Sequence, residues 1–132
     1  MIKPAEIQVR FSDLDVMGHV NNSIYLSYFE YTRVHYFGQL LGVDWDWNKN
    51  GVLLAKNEVE YLKPVFLSDV PVISMFTETI GIKSFTLSYE INVNNVITTQ
   101  GKSTLVCYDA TENKTIEIPE LLKQALLKLK KV

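Results

Sequence analysis

The feature that most constrains the fold is a helical segment over residues 22–41 that is apolar around most of its circumference. Gly42 ends it, and Asn21 or Asn22 is expected to N-cap it. A helix that is apolar nearly all round is buried nearly all round. No run in the sequence is apolar and long enough to span a bilayer, so the rest of the chain is expected to wrap this helix. Its apolar positions are Ile24, Tyr25, Leu26, Tyr28, Phe29, Tyr31, Val34, Tyr36, Phe37, Leu40 and Leu41.

Strand-like segments are expected to form the sheet that wraps the helix. Residues 6–11 form one such segment before the helix, with Ile7, Val9 and Phe11 on one face. Four more follow the helix, and in residues 84–93 apolar and polar side chains alternate without interruption, which is typical of a half-buried strand. These four segments are residues 52–63, 70–80, 84–93 and 96–108.

The connections predict an antiparallel sheet. Asn94-Asn95 is a tight hairpin signal, and residues 81–83 break the chain before the preceding strand. Gly101 is a small residue that would let the helix lie close to the sheet. Residues 119–129 read as a short amphipathic helix that covers a sheet edge or mediates association. The expected class is α+β, with a long antiparallel sheet curled around one central buried helix.

Composition narrows the class of protein. The chain has 132 residues, the size of one domain spanning 1–132, and a net charge of −2, which provides no basic surface for nucleic acid. Residues 1–10 have no apolar core of the kind that a signal peptide needs, so none is expected, and no membrane segment is evident. Cys107 is the only cysteine, so neither an intramolecular disulfide nor a structural zinc or other metal site is expected. These features predict a cytoplasmic protein in which Cys107 is a small core residue.

Residues that carry chemistry are concentrated in the loop between the first strand and the long helix. This loop contains Asp13, Asp15 and His19 around a turn at Gly18. Asp15 stands just ahead of a helix N-terminus, which has unpaired N–H groups and a partial positive charge. A base or nucleophile facing an oxyanion-stabilising group is what attack on an acyl carbonyl requires. The alternative is that Asp15 only satisfies loop amides.

Other polar residues of the loop have a structural and a functional interpretation. His19 is either a substrate contact or a structural donor to the loop backbone. Asn21 and Asn22 are helix caps, and the backbone N–H of Asn22 is also a candidate donor to a carbonyl oxygen. Asp13 is assigned a structural role, in which it holds the loop through backbone hydrogen bonds.

Three further features lie outside the loop. Asn57 interrupts the apolar face of its strand, so it either bonds loop backbone or lines the reaction site. Glu30 and Arg33 are spaced so that they can pair along the helix. Trp45 and Trp47 follow the helix and either cap the core, which we favour, or wall an acyl pocket.

Residues 13–26, followed by Tyr28-Phe29-Glu30 and Arg33, resemble the signature of the 4-hydroxybenzoyl-CoA thioesterase-like branch of the hotdog-fold superfamily. Residues 60–65 and 83–85 resemble the same family further along the chain. The resemblance implies five or six antiparallel strands around the long helix, with a short C-terminal helix. It also implies a homodimer or homotetramer with the active site near the subunit interface.

The activity implied by the resemblance is hydrolysis of a small-to-medium acyl-CoA or aryl-CoA, without metal or redox cofactor. Asp15 would be the catalytic carboxylate, as nucleophile or general base, and the backbone N–H of Asn22 would polarise the thioester carbonyl. Lys63, Lys83 and Lys102 are candidates for binding the CoA phosphates. Substrate contacts are expected from Gly18, His19, Val20, Asn21, Tyr25, Asn57, Lys63 and Lys83.

Two alternatives remain open from the sequence. One is an acyl-carrier-protein thioesterase, which would use a basic docking surface for its acidic carrier. The scattered lysines offer little support for such a surface. The other is a non-catalytic hotdog module that binds acyl-CoA. No nucleic-acid or membrane partner is expected in any of these cases.

Overall fold

A computed structural model describes residues 1–131. Its sheet has the order β1-β3-β4-β5-β2, with β6 also paired to β5, and every pairing is antiparallel. A single turn of 3-10 helix lies at Phe11–Asp13. The elements are β1 (Ala5–Glu6), α1 (Ile24–Leu41), β2 (Gly51–Tyr61), β3 (Val72–Ile80), β4 (Ser84–Val93), β5 (Val96–Asp109), β6 (Lys114–Thr115) and α2 (Glu120–Lys128).

The sheet forms as its alternation and turns predict. In β4 the odd-numbered side chains from Phe85 to Val93 are buried and their neighbours are half-buried. The β4–β5 turn has Asn94 at φ 51° and Asn95 at φ 65°. Two successive positive φ values match the right-handed twist of a hairpin, and asparagine tolerates them well. The four strand predictions after the helix are confirmed within two residues at each end.

One face of α1 packs directly on the sheet. Phe29 stacks on Tyr89 of β4, with ring centroids 4.2 Å apart and planes inclined by 9°. Gly101 of β5 lies beneath that ring, and a Cβ there would come within 2.5 Å of the Phe29 Cζ. The expectation that Gly101 allows a close approach of the helix is therefore confirmed.

The opposite face of α1 corrects the expectation of a helix buried nearly all round. Leu26, Tyr31 and Val34 are 39%, 52% and 66% exposed. The sheet of one chain covers only the side that carries Tyr25, Phe29 and the other buried residues. The apolar residues of the second side are left on the surface of the single chain.

The N-terminal strand is shorter than the alternation suggests. Only Ala5–Glu6 pairs with β3, although Ile7 and Val9 are buried as expected. After Val9 the chain turns away because the Asp13 carboxylate accepts the Arg10 N–H at 3.0 Å. Phe11 falls in this turn and is exposed, so its predicted place on the buried face is wrong.

The C-terminal helix covers an open edge of the sheet. The backbone N–H and hydroxyl of Thr77 in β3 donate to the carbonyls of Leu129 and Leu126 at 3.0 and 2.6 Å. These bonds provide acceptors for Thr77 on the edge of β3, beyond the short stretch of β3 that pairs with β1. The edge-covering role predicted for residues 119–129 is confirmed. Within residues 1–131 no helix has the length and hydropathy needed to cross a membrane.

Candidate active site

The loop between β1 and α1 is closed on itself by short main-chain bonds. The Asp15 N–H donates to the His19 carbonyl at 2.7 Å, and the Gly18 N–H donates to the Asp15 carbonyl at 3.0 Å. Gly18 has φ 79°, a conformation that side-chain-bearing residues rarely adopt. The Val20 N–H then ties the loop to the Val65 carbonyl at 2.8 Å, just after β2.

The two oxygens of the Asp15 carboxylate have different environments. Oδ1 accepts the N–H groups of Met17 at 2.9 Å and His19 at 3.2 Å. Oδ2 has no hydrogen-bond donor among residues 1–131, and the side chain is half-buried. Asp15 therefore satisfies loop amides with one oxygen and keeps the other available to a ligand.

Asp13 anchors the loop to the helix. Its buried carboxylate accepts the Arg10 N–H at 3.0 Å and the Tyr28 hydroxyl at 2.8 Å, and its carbonyl accepts the Asn21 N–H at 2.8 Å. Burial acts to raise the pKa of Asp13, but the hydrogen bonds from Arg10 and Tyr28 outweigh it and hold that pKa below its usual value. Burial and the neighbouring carboxylate raise the pKa of Tyr28.

The start of α1 differs slightly from the expected cap. Ser23 occupies the N-cap position, without a side-chain cap bond. Asn21 still organises this turn, because its Oδ1 accepts the Ser23 N–H at 3.0 Å and its carbonyl accepts the Ile24 N–H at 2.9 Å. The caps predicted at Asn21 or Asn22 are corrected to Ser23, with Asn21 supporting it from outside the helix.

The backbone N–H of Asn22 has no acceptor among the described residues. Every other backbone N–H within residues 17–24 donates a hydrogen bond to an acceptor in the protein. The donors that are satisfied belong to Met17, Gly18, His19, Val20, Asn21, Ser23 and Ile24. A main-chain donor of this kind, next to a helix start, is suited to bind a carbonyl oxygen.

Asp15 and Asn22 line one cavity of about 240 Å³ between the loop and the end of β2. Tyr61 is a residue that the sequence reasoning did not assign to the site. Its hydroxyl donates to the Asn22 carbonyl at 2.8 Å, and its ring meets that of Tyr25 edge-on with centroids 5.0 Å apart. The available signal was its place in the motif of residues 60–65. The lining residues are Asp15, His19, Val20, Asn22, Tyr25, Tyr61, Leu62, Lys63 and Pro64.

The remaining predicted contacts lie outside this cavity. Gly18 and Asn21 shape the loop without lining the cavity. Lys83 lies in the β3–β4 turn with its Nζ 3.4 Å from the Thr115 hydroxyl, and Lys102 pairs with Glu78 at 3.2 Å. Asn57 lies on β2 four residues before Tyr61, and its side-chain oxygen accepts the Ser103 hydroxyl at 2.6 Å. Of the predicted lysines, Lys63 alone lines the cavity.

Neighbouring groups support the loop and the core. The His19 ring meets the Phe66 ring edge-on, with centroids 5.1 Å apart.

Cys107 is fully buried, which raises its pKa to about 11 and fits the predicted core role. No group of three or more His, Cys, Asp or Glu side chains within residues 1–131 is arranged to hold a metal ion.

An antiparallel sheet with one long helix against it, preceded by this loop, defines the hotdog class of fold. The chain belongs to the Thioesterase-like superfamily, whose family model matches residues 9–126. A thioesterase from Thermus thermophilus, solved in complex with coenzyme A and zinc, is 30% identical with a TM-score of 0.84. That match covers 97% of this chain and 93% of the Thermus protein. The family and fold predicted from the sequence are confirmed.

Named relatives carry thioesterase activities. The long-chain acyl-CoA thioesterase FadM of Escherichia coli is 28% identical over 124 residues, covering 92% of this chain and 94% of FadM. The 1,4-dihydroxy-2-naphthoyl-CoA hydrolase of Nostoc punctiforme is 32% identical over 68 residues, covering 52% of this chain. This chain spans about half the length of the Nostoc protein and of Bacillus subtilis YsmA, at 46% and 56%.

Proposed function

We propose that this protein hydrolyses acyl-CoA thioesters at the cavity shared by Asp15 and Asn22. The observation that carries the proposal is the pairing of an unsatisfied main-chain donor with an unsatisfied carboxylate oxygen in one cavity. The family supports the reaction class, and the Thermus relative with coenzyme A and the thioesterase FadM support the substrate class.

The Asn22 N–H is the proposed electrophilic group. The thioester carbonyl oxygen accepts this donor, and negative charge develops on that oxygen when the carbon is attacked. The N–H is already fixed by the bonds of its neighbours, so it need not reorganise during the reaction. Preorganised donors of this kind typically contribute about 100-fold or more to the rate.

Asp15 is the proposed reacting carboxylate, by either of two routes. As a nucleophile, Oδ2 attacks the carbonyl carbon, the C–S bond breaks and a mixed anhydride forms, which water then hydrolyses. As a general base, Oδ2 takes a proton from the attacking water. In both routes the proton from water ends on the CoA sulfur, and the products are the free acid and CoA. Both routes require ionised Asp15.

We also propose a homodimer or homotetramer with the site near the subunit interface. The outer edge of β2 is not paired within residues 1–131. Val34 of α1 is exposed and lines a cavity together with Val52 and Leu54 of β2, and Leu26, near the start of α1, is also exposed. A small-to-medium acyl or aryl group fits a cavity of this size, and Lys63 is the nearest candidate for a CoA phosphate.

The test is Asp15→Asn, with Asp46→Asn as a matched control. Asp46 makes the same kind of turn, accepting the N–H groups of Asn48 and Lys49 at 3.0 and 3.2 Å, outside the cavity. A panel of acyl-CoAs and acyl-carrier-protein substrates is assayed for hydrolysis. We expect Asp15→Asn to lose about 100-fold or more in kcat/KM with its unfolding midpoint retained, and Asp46→Asn to keep its activity.

Three results would contradict the proposal in different ways. Wild-type turnover in Asp15→Asn removes the assigned role of Asp15. Binding of acyl-CoA without hydrolysis by the wild type indicates a non-catalytic module. Hydrolysis confined to carrier-protein substrates indicates an acyl-carrier-protein thioesterase.

A further inference from the structure

A second polar cluster lies between α1 and the sheet, beyond the reaction cavity. The Arg33 Nη1 donates to the Tyr89 hydroxyl at 3.0 Å and to the Ser103 hydroxyl at 3.5 Å. Ser103 in turn donates to the Asn57 Oδ1 at 2.6 Å. Tyr89 and Ser103 are fully buried, while Arg33 and Asn57 are half-buried. We call these four residues the Arg33 cluster.

Arg33 has no carboxylate partner within residues 1–131. The pairing with Glu30 expected from their spacing does not form, and no other acidic side chain lies within ion-pair distance of the guanidinium. A half-buried arginine is usually paired, because an unpaired charge is costly to remove from water. The charge of Arg33 is therefore available to a ligand.

The groups that the cluster leaves free are hydrogen-bond donors. The bonds of Arg33 use Nη1 alone, so Nε and Nη2 remain, and the Asn57 side chain retains its NH₂ group. The acceptor oxygen of Asn57 is occupied by Ser103. Such a set of donors around a cation is complementary to an oxygen acceptor, and to a carboxylate above all.

Arg33, alone of the four cluster residues, lines a cavity of about 500 Å³ between the second half of α1 and the first half of β2. Its walls are mainly apolar, and Trp47 of the loop after α1 forms one of them. Glu30 and Arg33 are its charged residues. This combination suits an aliphatic chain that ends in a polar group. The apolar lining comes from Val34, Phe37, Val43, Trp47, Val52, Leu54 and Leu105.

The reaction cavity and the cavity at Arg33 share no lining residue, but both lie along α1 and β2. Arg33 lies on α1, and Asn22 lies just before the N-cap of the same helix. The helical rise over these eleven residues separates them by roughly 16 Å along the axis of α1. On β2, Asn57 and Tyr61 share the inner face and lie about 13 Å apart along the strand. β2 therefore carries one residue of the reaction site and one residue of the Arg33 cluster on the same face, and α1 starts next to the reaction site and carries Arg33.

We propose that the Arg33 cluster binds a carboxylate at the far end of the acyl group, so that ω-carboxyacyl-CoA thioesters of about a dozen carbon atoms are preferred substrates. An extended zigzag chain covers about 1.2 Å per bond, so a chain of this length spans the distance between the two sites. Glu30 on the same cavity opposes a carboxylate and tempers the preference. This inference rests on the proposed thioesterase activity.

The test compares four substrates on the wild-type protein. The mono-CoA thioester of dodecanedioic acid is paired with dodecanoyl-CoA, and succinyl-CoA is paired with butanoyl-CoA. Hydrogen bonds to a charged group predict a ratio of kcat/KM that favours the long dicarboxylic substrate by between about ten- and a hundredfold. The acyl group of succinyl-CoA is too short to reach Arg33, so we expect no preference for succinyl-CoA over butanoyl-CoA.

Variants then assign the preference to the cluster. Arg33→Gln should abolish the ratio of the long pair and leave the ratio of the short pair unchanged. Arg33→Lys keeps the charge but not the planar fork, so it should keep part of the ratio. Glu30→Gln should raise the long-pair ratio. Lys56→Gln, on the exposed part of β2, serves as a charge control and should change neither ratio.

The outcomes separate this inference from the proposed function. If no acyl-CoA is hydrolysed, the proposed function fails. If dodecanoyl-CoA is hydrolysed as fast as its ω-carboxy counterpart, only the inference about Arg33 fails. A loss in Arg33→Gln that is equal for all four substrates would indicate a structural role and also overturn it. The wild-type comparison needs no variant and stays decisive if Arg33→Gln does not fold.

Discussion

At the scale of single residues, the two aspartates of the loop have separate tasks that follow from their contacts. Asp13 is buried and saturated by Arg10 and Tyr28, whereas Asp15 keeps one oxygen free beside the Asn22 N–H. The sequence predicted the loop and these two residues. It did not predict Tyr61, because a tyrosine at the end of a strand gives no sign of the carbonyl to which its hydroxyl will donate.

The first residue-scale prediction concerns Asp13. Asp13→Asn weakens the charge-assisted bonds to Arg10 and Tyr28, so we expect a loss of about 1–3 kcal/mol in the free energy of unfolding at pH 7. Denaturant titration measures it. Asp44→Asn, at an exposed position, is the control and should lie within about 0.5 kcal/mol of the wild type.

The same substitution tests the pH dependence. The pKa of Asp13 is below its ordinary value of 3.8. Its ionised form therefore stabilises the fold above that value, and the contribution is lost as the pH falls through the lower folded-state pKa. The gap between wild type and Asp13→Asn should narrow on acidification below about pH 4. A gap that widens in acid would contradict the assignment.

The second residue-scale prediction concerns Tyr61. Tyr61→Phe removes the bond that fixes the Asn22 carbonyl, so the neighbouring N–H donor becomes less well positioned. We expect kcat/KM to fall by about tenfold with little change in stability, because misplacement at a reaction site is costly to the rate. Tyr108→Phe removes a hydroxyl that bonds Asn113 in the β5–β6 hairpin, and it should leave kcat/KM unchanged.

At the scale of elements, predictability followed the strength of the local signal. The strand at residues 84–93 is recovered at both ends, because its alternation is unbroken and asparagines mark the turn after it. The first strand was predicted over residues 6–11 but is only Ala5–Glu6 in the structure. The Asp13 side chain accepts the Arg10 N–H where the strand would otherwise continue. The two-residue β6 gave no periodic signal, since it is too short to show alternation.

The contact of α1 with β5 gives the element-scale prediction. Gly101→Ala puts a methyl group against the Phe29 ring and 3.3 Å from the Glu58 carbonyl, so we expect a loss of about 1–3 kcal/mol. Gly38→Ala is the matched control. A Cβ there meets no atom within 4 Å, and alanine favours the helix by about 1 kcal/mol. Thermal unfolding should move the two variants in opposite directions.

At the scale of the whole molecule, the sheet of one chain is too small to surround α1. The sequence predicted a fully wrapped helix from its apolar circumference, but it could not reveal that the second half of the wrapping is missing from the single chain. Leu26 and Val34 stay exposed, and Val34 lines a cavity with Val52 and Leu54 of β2, whose outer edge is unpaired within residues 1–131. Apolar surface of this kind marks an association site.

The molecule-scale prediction follows from that surface. We expect the wild-type protein to sediment as a dimer or tetramer. Val34→Asp should shift the equilibrium toward monomer, because it introduces a charge on the exposed face of α1. Ile82→Asp, in the β3–β4 turn away from this face, should not. A wild type that is monomeric at micromolar concentration would contradict the expectation.

The unsatisfied donor at Asn22 has a consequence for how this site can vary. A main-chain N–H is present whichever side chain occupies position 22, so substitutions there leave the proposed oxyanion donor in place. Proline is the exception, because it has no N–H. Insertions or deletions within residues 17–24 would re-aim the same donor without removing it. The most informative comparison among relatives is therefore the length of this loop rather than the identity of residue 22.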